Sequence, residues 1–204
     1  LLLFRLLDAM TGADHNATHW AMGLYATIWL GLMLVQLLRL ERLAGVFGIV
    51  RAVLAIVFAL IGLGALALGL TALSPLLTDW GGAVAGPPLI NTLLVAYLLP
   101  AMVLALGAWR IRRWWLRLGL CAMALAVLTY WAFAALRHLW QGAAGMELRH
   151  GFLQPELYSY TVALLVVGAA LFYQSLARSS GLLRRAGLVV IGLAVAKVFL
   201  IDIS

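Results

Sequence analysis

Lys197 is the residue whose type and position most strongly suggest a chemical role in this sequence. It lies eleven positions into the last apolar run, where an unpaired ammonium group costs roughly 2.5 kcal/mol or more. Such a residue usually faces protein or water and has a partner. Two carboxylates are predicted at similar depth, Glu156 at the start of the preceding run and Asp202 beyond Lys197. We expect Glu156 to be the first-choice partner, because Asp202 lies about 140° around the same helix.

Arg137 and His138 end the fourth apolar run at the level predicted for Lys197. With Glu156 and Asp202 they predict a polar cluster near the outer surface that binds a ligand or an ion. Charged residues within membrane spans commonly mark ligand or transport sites, which favours this interpretation. The alternative is structural: the Lys197 ammonium extends to the headgroups or pairs with a carboxylate, and no ligand is involved.

His15 and His19 are weak candidates for a metal site. Their i, i+4 spacing puts both imidazoles on one face of a helix, and zinc can bind such a pair. No glutamate follows His15, and Glu147 and His150 lie on a distant connector. We therefore predict no bound metal and interpret the pair as interfacial histidines on a solvated segment.

Motifs for nucleotide binding or covalent catalysis are absent from the sequence. It contains no phosphate-binding glycine loop, no dinucleotide fingerprint, no HExxH helix and no nucleophile elbow. The single cysteine, Cys121, lies inside an apolar run, so no disulfide can form within the chain. We predict no cofactor, and an enzymatic activity is not favoured. The polar segment 142–151 is either a lid over the Lys197 region or a plain connector.

The composition is typical of a membrane protein. Hydrophobic residues make up 66% of the 204 residues and charged residues 10%, against about 25% charged residues in soluble domains. The net charge of +7 does not indicate nucleic-acid binding, because the arginines occur in short clusters between apolar runs. The partners that we predict are the lipid bilayer, anionic headgroups beside the arginine clusters, and other membrane proteins or a homo-oligomer.

Six apolar runs are long enough to cross about 30 Å of hydrocarbon as helices. Helices satisfy their own backbone groups in lipid, so we predict an all-α polytopic transmembrane helix bundle. Pro100 is expected to kink the third helix. Residues 1–204 are predicted to form a single transmembrane domain, in which 1–19 are an outer segment or the end of a preceding helix. The predicted spans are about 20–38, 52–74, 89–109, 115–136, 157–177 and 186–203.

Arginines alternate with acidic residues and histidines from one connector to the next. Three connectors hold most of the basic residues, namely Arg39, Arg42 and Arg51, then Arg110, Arg112, Arg113 and Arg117, then Arg178, Arg184 and Arg185. The opposite segments hold Asp8, Asp14, Asp79, Glu147, Glu156, Asp202 and the four histidines. By the positive-inside rule the arginine connectors are cytoplasmic. This predicts three helical hairpins with both chain ends outside.

An internal repeat is suggested at an offset of 68 residues, the separation of Arg110 from Arg178. At the same offset Arg117 matches Arg185, and the Gly-Leu pair at 119–120 matches that at 187–188. A parallel repeat about an axis along the membrane normal would produce this register. Chance matches among common apolar residues are the alternative.

Three stretches near the end of the chain form a pattern: ELYSYT at 156–161, LRRAGL at 183–188 and AVAKVFLID at 194–202. In these stretches the sequence resembles a family of large bacterial predicted membrane proteins of unknown function, whose members carry many transmembrane helices. The resemblance is best over residues 156–202. It implies that the chain continues beyond Ser204, and the apolar start at Leu1 agrees with a piece of a longer protein.

Three functional interpretations remain open from the sequence. The first is a bacterial inner-membrane protein for transport or cell-envelope maintenance, with a polar site near Lys197 on the periplasmic side. The second is a membrane enzyme that acts on a lipid-linked or envelope substrate through His138, His150 or Glu156. The third is a non-catalytic structural subunit of a membrane complex.

Overall fold

The protein is all-α in the part of the chain that the structure describes. The computed structural model describes residues 18–40, 45–88, 90–177, 179 and 181–202, together with the single residues 5 and 9, but not the side chains of 182, 201 and 202. Within these ranges there is no β-strand. The helices are α1 His19–Leu40, α2 Val46–Leu70, α3 Leu99–Arg110, α4 Trp114–Gln141, α5 Gln154–Ala177 and α6 Gly181–Lys197.

Each of the six predicted apolar runs overlaps one of these helices, which confirms an all-α polytopic membrane protein. Among the described residues, α1, α2, α4 and α5 are long and apolar enough to cross a bilayer. The helical segment Leu94–Arg110 is apolar but shorter. The start of α2 at Val46 precedes the predicted start at residue 52, because helical backbone continues through Arg51 into the basic connector.

Consecutive helices pack as hairpins, as the short basic connectors predicted. The most extensive packing joins α1 with α2, α3 with α4, and α5 with α6. The chain divides into two compact units, Leu1–His150 with the first two hairpins and Gly151–Ser204 with the third. The single domain of residues 1–204 stays a prediction.

In the first unit, α1 and α3 run parallel and in register. A Cβ added to Gly23 of α1 would collide with the backbone of Ala96, and one added to Gly107 of α3 would lie 3.0 Å from Leu34. The step from Gly23 to Leu34 and the step from Ala96 to Gly107 are equally long and run in the same direction, so the two helices are parallel. This register brings the ends of both hairpins that carry Arg39, Arg51 and Arg110 to one side of the unit. We call that side the arginine end.

Pro100 produces an irregular turn rather than a break in the third helical segment. A π-helical turn at Leu94–Leu98 immediately precedes α3, and the buried Pro100 lies in the first turn of α3. Proline lacks an N–H, and its ring crowds the carbonyl four residues earlier, so a wider turn removes the conflict. The Tyr97 hydroxyl in this turn donates to the Gly69 carbonyl oxygen at 2.7 Å, which ties the turn to the end of α2.

The two glycines that the proposed repeat matches have different surroundings. A Cβ added to Gly187 in the second unit would lie 2.9 Å from the backbone nitrogen of Phe172, so α5 and α6 depend on this glycine for close contact. A Cβ added to Gly119 would meet nothing within 4 Å. The 68-residue repeat stays a prediction, but these two glycines do not share a packing role.

Candidate functional site

The end of the first unit opposite the arginine end is closed by two folded connecting segments. These are residues 71–88, which follow α2, and residues 142–150, which follow α4; we call them together the cap. Each contains a short 3-10 turn, at Asp79–Gly81 and at Leu148–His150. The Leu148 N–H donates to the Leu76 carbonyl at 2.9 Å, so the two segments bond to each other directly.

His19, the first residue of α1, attaches the helix to the cap. Its fully buried imidazole places Nδ1 2.7 Å from the Gly81 carbonyl oxygen and Nε2 2.9 Å from the Thr92 hydroxyl. Because a carbonyl can only accept, Nδ1 carries a proton, and Nε2 accepts from Thr92 in the neutral ring. Gly81 has to be glycine here, since a Cβ would collide with the Leu73 carbonyl.

These bonds occupy both nitrogens of His19, so the ring keeps no free lone pair for a metal while they persist. His15, the other histidine of the predicted pair, lies outside the described residues. Among the residues that the structure describes, no group of three or more His, Cys, Asp or Glu side chains could hold a metal ion.

His138, near the end of α4, is buried and bonds to Asn91. The Asn91 amide nitrogen lies 3.1 Å from the Pro88 carbonyl oxygen and 3.2 Å from His138 Nδ1. An amide N–H donates, so Nδ1 accepts and the neutral ring carries its proton on Nε2. The interaction joins α4 to the chain just before the π-helical turn.

Arg137 is fully buried beneath the second cap segment. Its Nε donates to the Met146 carbonyl at 2.8 Å, and its Nη2 donates to the Glu147 carbonyl at 2.6 Å. A buried charge is tolerated when its hydrogen bonds are satisfied, and guanidinium donates in the fixed directions that two adjacent carbonyls need. Gly142, with φ +67°, turns the chain back over the helix end so that these carbonyls face Arg137.

A small pocket of about 220 Å³ lies between the two cap segments. We call it the cap pocket. Its walls include the small residues Pro75, Gly82 and Ala144 and the acidic residues Asp79 and Glu147. Arg149 forms ion pairs with both acids, at 3.2 Å to Asp79 Oδ2 and closely with Glu147. Asp79 and Arg149 are exposed, so their pair stabilises the fold by about 1 kcal/mol at most.

The second unit contains its own polar group, on facing sides of α5 and α6. The half-buried Lys197 donates from Nζ to the Leu157 carbonyl at 2.9 Å and to the Thr161 hydroxyl at 2.8 Å. The fully buried Glu156 accepts the Leu153 N–H at 3.2 Å and the Tyr160 hydroxyl at 2.7 Å. A glutamate in the first turn that reaches back to the N–H before the helix is half of a capping box. Glu156 therefore has a structural role at the start of α5.

The whole chain matches one family. The profile of the family described as "Predicted membrane protein (DUF2339)" matches residues 1–204. The chain belongs to this family. No curated protein and no solved structure matches the chain. The resemblance seen in residues 156–202 is thereby confirmed and extends over all six helices.

In this DUF2339 chain the predicted site residues fall into two groups, one in each unit. Arg137 and His138 support the cap, while Lys197 and Glu156 lie in the second unit; Asp202 belongs to the π-helical turn Val198–Asp202, and its side chain is not described. A single cluster of all five, and a Lys197–Glu156 ion pair within it, stay predictions.

Sequence reasoning missed several buried polar residues of this family member. Asn91 and Thr92 hold the two histidines, and the buried Ser74 shares a hydrogen bond with the Tyr130 hydroxyl. Their position in the sequence could have identified them, because each is a small polar residue at the border of an apolar run. Such residues commonly cap helices or bond between them.

Proposed function

We propose that this chain is part of a bacterial inner-membrane protein that acts in transport or in maintenance of the cell envelope. In this proposal the cap faces the periplasm, and the arginine end lies in the cytoplasmic headgroup layer. The concentration of arginines on the connectors between paired helices supports the orientation. Anionic headgroups attract each such residue by about 1 kcal/mol.

The observation that carries the proposal is the buried Arg137, which fixes the backbone of the second cap segment at two successive carbonyls. Burying a guanidinium costs free energy, and a connector does not need one merely to join two helices. The benefit is that a connector held in one conformation presents a defined surface. Residues that bind ligands commonly lie on loops positioned by a rigid scaffold.

The chemistry of the cap pocket suggests the kind of solute that it takes. The acidic residues Asp79 and Glu147 line the space between the segments, and Arg149 is their present counterion. A small solute with a positive charge or several hydrogen-bond donors would compete with Arg149 for these oxygens. We propose such a solute as the ligand of the cap pocket.

The test is complementation of a deletion strain, measured as entry of a hydrophobic fluorescent dye under envelope stress. Ala144→Phe fills the cap pocket from an exposed position, and Ala72→Phe adds the same ring to an exposed cap residue that does not line the pocket. We expect Ala144→Phe to leave the cells permeable although the protein accumulates normally, and Ala72→Phe to restore the barrier. Full complementation by Ala144→Phe would mean that the cap pocket is not the working site.

The enzyme interpretation receives less support from the geometry. Glu156 accepts two hydrogen bonds at the start of α5, and His138 accepts one from Asn91. These bonds serve the fold and do not orient a nucleophile or an acid–base pair. A purely structural subunit is the interpretation to adopt if filling the cap pocket has no effect.

A further inference from the structure

A groove of about 400 Å³ runs along the surface of the first unit between α3 and α4. Its floor is formed by Ala101, Ala108 and Ala124, which are buried and whose short side chains leave space between the helices. Arg117 and Cys121 of α4 are exposed and line the groove towards the arginine end. The groove therefore combines an apolar floor with one charged group at an end.

The length of the groove matches one leaflet of a bilayer. On α4 its lining extends from Arg117 to Leu128, a distance of about 16 Å at 1.5 Å per residue. Half of a typical hydrocarbon core is about 15 Å. Trp109 lines the groove at the same end as Arg117, and tryptophan is enriched at the level of the headgroups. In a membrane this placement would put one end of the groove at headgroup level and the other near the bilayer centre.

Charge at the headgroup end favours an anionic occupant. Arg110 ends α3, Arg112 and Arg113 lie in the turn to α4, and Arg117 follows one helical turn into α4. We infer that the groove binds one acyl chain of an anionic phospholipid, with its phosphate against Arg117. This inference depends on the membrane setting of the helices and not on the function proposed for the cap.

The charge requirement can be tested by native mass spectrometry of the full chain in detergent. The protein is titrated with 1-palmitoyl-2-oleoyl phosphatidylglycerol and with the phosphatidylcholine of the same acyl chains. Arg117→Gln should weaken phosphatidylglycerol binding roughly fivefold, because one interfacial arginine attracts an anionic lipid by about 1 kcal/mol. Phosphatidylcholine binding should weaken less than twofold, because its choline cation offsets the charge of its phosphate. Arg113→Gln removes the same charge from a residue that does not line the groove, and it should have the smaller effect.

The apolar requirement is tested by filling the groove. Cys121→Phe places a ring in it, whereas Ala122→Phe adds the same ring to the neighbouring exposed position outside the lining. Cys121→Phe should weaken binding of both lipids roughly tenfold or more, since losing the burial of even two methylenes has that effect. Ala122→Phe should leave binding unchanged, and the thermal midpoints of the two variants check that both are folded.

Three results would overturn the inference. Equal lipid retention by wild type and Cys121→Phe would mean that no lipid occupies the groove. An equal loss of phosphatidylglycerol binding in Arg113→Gln and Arg117→Gln would mean that the lipid responds only to the general surface potential. Cys121 is the single cysteine, so efficient oxidative cross-linking through Cys121 in membranes, together with absence of retained lipid, would assign the groove to a second copy of the chain.

Discussion

Replacing Arg137 with methionine should release the second cap segment. The change removes a fully buried guanidinium that donates to the carbonyls of Met146 and Glu147 at 2.8 and 2.6 Å. Hydrogen bonds to a charged donor contribute about 1.5–3 kcal/mol each. The two carbonyls that lose their donor would also carry a desolvation cost of about 1–3 kcal/mol each if they stayed buried.

These contributions do not simply add, because methionine fills the space with apolar atoms and removes the cost of a buried charge. We therefore expect the free energy of unfolding to fall by about 3–5 kcal/mol, which is roughly what the loss of two hydrogen bonds from a charged donor costs. For a chain of 204 residues this lowers the thermal midpoint by roughly 10 °C. Thermal unfolding in detergent, followed by circular dichroism, measures this shift.

Arg149→Met is the matched control, because it removes an arginine from the same segment at an exposed position. Its pair with the exposed Asp79 should contribute about 1 kcal/mol at most. Its pair with the mostly buried Glu147 should contribute more, but less than the contacts of Arg137, because the Arg149 guanidinium itself stays in contact with water. Hydrogen exchange at residues 146–150 should rise strongly in Arg137→Met and little in Arg149→Met. If the two variants unfolded at the same temperature, Arg137 would not be what holds the cap.

Two further predictions concern orientation and the second unit. In a cysteine-free background, a membrane-impermeant thiol reagent added outside should label a cysteine at the exposed cap residue Ala72 (Ala72→Cys) and spare Arg113→Cys. The reason is that the cap is proposed to be periplasmic and the arginine end cytoplasmic. The opposite labelling would reverse the topology. Lys197→Met, Glu156→Gln and the double variant should give non-additive losses of thermal stability if the two residues form the predicted ion pair, whereas strictly additive losses would exclude direct coupling.

The helices and their pairing could be read from the sequence because both follow from local composition. Apolar runs such as 20–38 and 157–177 have one low-energy state in lipid, and arginines at 110–117 mark the turn between two of them. The irregularity at Pro100 was also predictable in position. The π-helical turn before it was not, because such a turn also depends on contacts with other helices, here the bond from Tyr97 to α2.

The polar site depended on contacts between distant parts of the chain. His19 bonds to Gly81 and Thr92, which lie 62 and 73 residues away, and no periodicity in the sequence selects those partners. Arg137 looked like a member of a charged cluster, yet the carbonyls it binds belong to a loop whose path Gly142 sets. The sequence by itself determined the membrane-protein class, the helices and the distribution of charge, because all three follow from the hydropathy and charge of neighbouring residues. The tertiary structure decided which polar groups were satisfied and where a groove stayed open, because both depend on how the side chains of different helices pack against each other.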